Sequence, residues 1–178
     1  AVDAHVDVFV DSDELTHLEL IPFDVARSRS VVSLLAPHPA SGEATNDKYG
    51  VFARPFCVVE MVTAFQLKKP VVGVEIIKRG AFHGNAIPTT REEIRSLLTM
   101  KDWETVGRIT NLQRVPDDAI VAVEWFAKQC QSTKLEWEPA NPLHAPKQVA
   151  EVLIKAGVVT AEEAKRGLLV GNGGSFAA

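Results

Sequence analysis

The chain has 178 residues, 46% apolar and 24% charged, with a formal net charge of −4. That length and balance suit one globular domain, or one domain with an appendage, and exclude a disordered polymer. The 19 basic residues are dispersed along the chain, so no nucleic-acid partner is expected, and no apolar run is long enough for membrane insertion.

The opening, AVDAHVDVFV, carries no basic leader with a cleavage-type segment, and only two cysteines, Cys57 and Cys130, occur in the chain. Together these predict a cytoplasmic protein without a disulfide framework. His5 to Val10 alternates polar and apolar and reads as a strand running into the acidic turn Asp11-Ser12-Asp13-Glu14. Pro22 suits the first turn of a short helix over Phe23–Ser28. The β-branched run Val31-Val32-Ser33-Leu34-Leu35, closed by Pro37, predicts a buried strand, and His38 to Gly50 has loop composition. A helix is expected from Pro55 to Lys69, then a strand from Pro70 to Ile77. Strands alternating with helices predict a parallel sheet with right-handed crossovers.

The second half reads as mainly helical. Thr90-x-x-Glu93 is a capping box for a helix reaching Met100, and Pro116-Asp117-Asp118 opens another that reaches Gln129. Three prolines between Glu136 and Pro146 predict a linker over 136–146. Beyond it, a helix over Lys147–Ala156 stops at Gly157, Thr160-x-x-Glu163 caps a short last one, and Gly171 to Ser175 has the composition of a flexible tail.

One helix carries the strongest functional signal. From Phe56 to Leu67 the residues are nearly all apolar, and Glu60 is the only charged one. Such a helix is buried on most sides. Spacing puts Cys57, Glu60 and Thr63 or Ala64 on one face, a narrow polar stripe. A carboxylate held there either pairs with a cation or has a raised pKa, both of which recur in active sites. The plainer alternatives are a solvated Glu60, or a structural pair with Arg29 or Arg54. The five histidines show no metal-ligand spacing, so no metal is expected. Trp103, Trp125 and Trp137 read as core or interface anchors, and Cys57 as a small buried hydrophobe.

Three segments, taken in order, resemble a TIR-like (Toll/interleukin-1 receptor-like) domain of the protist type. They are Val8-Phe9-Val10-Asp11, then Ala26-Arg27-Ser28-Arg29-Ser30 leading into Val31–Leu35, then Arg54-Pro55-Phe56-Cys57-Val58-Val59-Glu60. The resemblance covers about residues 6–77, with Phe56 standing where the family usually has Trp. It implies a flavodoxin-like α/β domain over 1–135, with the family's first strand missing, followed by the linker and a mainly helical extension over 147–178. It further implies a protein-interaction module for homotypic or heterotypic assembly, with no cofactor. The alternative it implies is hydrolysis of the nicotinamide–ribose bond of NAD+, with Glu60 as the catalytic carboxylate. Phe56, Asp11, Ser28 and Cys57 would then contact the substrate.

Overall fold

The computed structural model describes residues 18–35, 47–76, 86–137 and 145–165. A 3-10 turn, Leu18–Leu20, leads into helix α1 (Ile21–Arg27), and strand β1 (Val31–Leu35) follows. A second 3-10 segment, Asp47–Ala53, precedes helix α2 (Pro55–Gln66) and strand β2 (Val71–Ile76). Three helices come next: α3 (Arg91–Ser96), α4 (Met100–Thr110) and α5 (Asp117–Thr133). Strand β3 (Leu135–Trp137) and helix α6 (Ala145–Lys155) complete the order, with a short helical turn over 161–165.

The three strands form one parallel sheet in the order β1-β2-β3, with Val31 facing Val71 and Val74 facing Leu135. Helices flank it, as the α/β expectation requires. Right-handed crossovers that step in one direction across a parallel sheet keep their helices on one face. The main core obeys this. Leu35 and Val71 of the sheet pack with Val58, Val62, Trp103, Ile120, Val123 and Phe126 from α2, α4 and α5. Close packing there depends on Gly73, since a Cβ at that position would lie 2.7 Å from the Cys130 carbonyl oxygen of α5.

The opposite face is covered by α6, where Val152, Ala156 and Val158 rest on Val72, Val74, Leu135 and Trp137. Among the described residues this cover does not reach across β1. Val32 and Leu34 are 40% and 44% exposed, whereas their cross-strand neighbours Val72 and Val74 are 0% and 1% exposed.

Four expectations need correction. The strand Val31–Leu35, expected to be buried, is buried on one face only, because α6 packs over β2 and β3 and leaves Val32 and Leu34 partly exposed. The helix expected from Thr90 to Met100 is two helices, each opened by its own capping box. Thr90 accepts from the Glu93 N–H, and Thr99 accepts from the Asp102 N–H. The second box uses Asp where Glu or Gln is the usual partner, so it does not stand out in the sequence. The helix expected to reach Lys69 ends at Gln66, because Lys68 adopts φ 53° in the left-handed region that stops helices. The linker expected over 136–146 starts inside β3 and ends inside α6, and residues 138–144 lie outside the described residues. The alternation Leu135-Glu136-Trp137 pairs with β2, a tertiary effect that the prolines downstream conceal. The expected strand His5–Val10, the acidic turn with Asp11, and the tail from Gly171 also lie outside the described residues.

Candidate functional site

Helix α2 descends from the carboxyl rim of the sheet, where β1 ends, to the amino rim, where β2 begins. Pro55 sits in its first turn, where a missing N–H costs nothing, after an extended Arg54. Seven of its 12 residues are buried, namely Cys57, Val58, Val59, Met61, Val62, Thr63 and Ala64. The helix is thus a core element enclosed by α1, α4, α5 and the second 3-10 segment.

On such a helix only a narrow outer strip remains. Phe56, 38% exposed, and the half-buried Glu60 lie one turn apart on that strip in its amino-terminal half. Open α/β sheets bind ligands outside the carboxyl ends of their strands, and this pair stands on that side. The rest of the expected polar stripe is closed. Thr63 is buried and donates its hydroxyl to the Val59 carbonyl at 2.8 Å, and Ala64 is fully buried.

The other expected site residues are not gathered with this pair. Cys57, one turn before Glu60, is buried and packs into the core. Ser28 ends α1, where its hydroxyl donates to the Val25 carbonyl at 2.7 Å and its own carbonyl accepts from Lys69 Nζ at 2.6 Å. Because the Val31 N–H donates to the Pro70 carbonyl at 2.9 Å, Ser28 stands at the amino ends of the strands, the opposite rim from Phe56. The Ser-Arg pair reads as adjacent to the site in a motif string. A helix antiparallel to its following strand carries it to the far rim instead. Asp11 lies outside the described residues.

Cys57 and Cys130 are buried and joined in no disulfide, and burial pushes the Cys130 thiol up to about 12, against a smaller lowering by its hydrogen bond with Ser33. No group of three or more metal-ligating side chains occurs among the described residues, and all five histidines lie outside them.

Two features emerge that sequence reading missed. One is the anchoring of the second 3-10 segment, which delivers the chain into α2. The Tyr49 hydroxyl donates to Glu93 Oε1 at 2.9 Å, while the other carboxylate oxygen accepts from the Thr89 and Thr90 N–H groups at 2.8 and 3.1 Å. These bonds hold the Glu93 carboxyl at about 2, the Thr89 N–H contributing most. Thr90-x-x-Glu93 was visible as a cap, but its tie to Tyr49 spans 44 residues and leaves no local trace. The other is a cleft of about 320 Å³ between α3 and the start of α5, lined by Arg91, Arg95, Arg114, Asp117, Asp118, Ile120 and Val121.

No family model, curated protein or solved structure matches this chain. Among the described residues no helix is long and apolar enough to cross a membrane.

Proposed function

We propose that this α/β domain is a protein-interaction module whose role is assembly, and that its contact face is the uncovered side of β1. The observation that carries this reading is the contrast along one sheet face, where Val32 and Leu34 are partly exposed beside the fully covered Val72 and Val74. The two side chains are neighbours on one strand face, and a contiguous apolar patch rather than a lone exposed residue is what a contact site requires. The occupant is a second copy of this chain. Val32 and Leu34 are both uncharged, so the patch suits a two-fold contact in which each copy meets the same surface. The contact is small against standard interfaces, and so serves association at high local concentration. Sedimentation velocity over a concentration series, with the Val32→Thr/Leu34→Thr double variant as control, tests the proposal. Threonine keeps strand propensity while removing the apolar contact.

A second reading is favoured by one feature, the placing of Phe56 one turn before the half-buried Glu60 at the carboxyl rim. In this reading the chain hydrolyses the nicotinamide–ribose bond of NAD+. The Glu60 carboxylate stabilises the oxocarbenium-like transition state, as carboxylates do in glycoside hydrolysis, and Phe56 packs beside the substrate ring. Incubation with NAD+ tests it by free nicotinamide, which the wild type releases and Glu60→Ala does not. No release from concentrated, folded wild type rules it out.

A further inference from the structure

We propose that the cleft between α3 and the start of α5 binds a phosphoryl group, a role independent of the assembly face. Its volume, about 320 Å³, matches the smaller ligand sites, which begin at about 300 Å³. Three arginines line it, drawn from two segments of the chain. Arg91 and Arg95 lie one turn apart on α3, and Arg114 comes from the turn before α5.

Each guanidinium is tethered by a carboxylate. Arg91 Nε donates to Glu124 at 2.8 Å, Arg95 Nη2 to Asp117 at 2.6 Å, and Arg114 Nη2 to Asp118 at 2.8 Å. The arginine side chains are 62%, 56% and 79% exposed, while Glu124 and Asp118 are 23% and 27% exposed. Two of the anions therefore sit behind their cations, leaving positive groups at the surface.

Each guanidinium has five N–H donors, and each spends one side-chain nitrogen on its tether, so donors remain for a ligand. Glu124 is also shared with Lys128 at 2.7 Å, and Lys128 and then Arg91 hold it below the usual carboxylate range. The amino end of the 17-residue α5 also faces this region, its first turn carrying Asp117 and Asp118, which offset its positive pole. A carboxylate is satisfied by one guanidinium fork, whereas a phosphoryl group can engage several at once. Asp117, 66% exposed, is the competing anion at the surface, and a bound phosphoryl group displaces it from Arg95.

The experiment titrates inorganic phosphate, pyrophosphate and phosphoserine amide into the full chain, following the Arg Nε–Hε NMR signals at constant ionic strength. Saturable shifts of Arg91, Arg95 and Arg114 are expected, with affinity about tenfold weaker in Arg95→Gln and stronger in Asp117→Asn. Tighter binding of pyrophosphate than of phosphoserine amide identifies a free phosphorylated small molecule as the source. The reverse identifies a phosphorylated side chain of a partner. The absence of saturable shifts with all three probes overturns the proposal, as do unchanged affinities in both variants with their fold intact.

Discussion

Glu93 joins three parts of the chain through one side chain: it caps α3, fixes the Thr89–Thr90 backbone and receives the Tyr49 hydroxyl. Its native carboxyl titrates at about 2, against an ordinary value of 4.5. A carboxyl that binds its proton less readily when folded stabilises the fold above its unfolded pKa. That contribution is complete above about pH 5 and disappears as pH falls from 4.5 towards 2. Glu124, lowered by Lys128 and Arg91, acts in the same direction. Urea midpoints compared between wild type and Glu93→Gln therefore differ most above pH 5 and converge towards pH 2. A gap independent of pH would mean that the carboxylate's charge contributes nothing. The sequence shows the local half of this arrangement, because a capping box is a contact across three residues. The tertiary half depends on a fold that brings Tyr49 beside α3.

The packing of α5 on β2 rests on the absence of a side chain at Gly73. The nearest group there is backbone, the Cys130 carbonyl, so it cannot swing aside as a flexible side chain could. Gly73→Ala forces the helix away from the strand and costs about 1–3 kcal/mol, as overpacked core substitutions do. Equilibrium urea unfolding measures it, and an unchanged midpoint means that α5 sits further from β2. Helix α2 was the most legible element, since a nearly unbroken apolar run with one acid states its own burial. Strand β3 was the least legible, because three residues become strand only by pairing with β2. The break between α3 and α4 fell between these cases. Its Thr99-x-x-Asp102 cap is local, yet the apolar pattern around Leu97 and Leu98 runs across it.

Across the whole molecule, the alternation of apolar runs made the parallel sheet readable, and its helices follow from the crossover rule. What lay beyond reach was which face each helix would cover. Helix α6 covers Val72 and Val74 on the far face, while Val32 and Leu34 of β1 remain partly exposed there. The candidate site divides similarly. That Phe56 and Glu60 share one strip was legible because helical periodicity is local, whereas Ser28 reached the opposite rim because α1 runs antiparallel to β1. The arginine cleft was invisible because Arg114 joins Arg91 and Arg95 only when α3 packs beside α5. Assembly through β1 is decided by sedimentation velocity of the wild type beside Val32→Thr/Leu34→Thr. A sedimentation coefficient that rises with concentration is expected for the wild type, and one that stays at the monomer value for the folded variant. A wild type that stays monomeric at every concentration, or a variant that associates equally well, would refute assembly through this face.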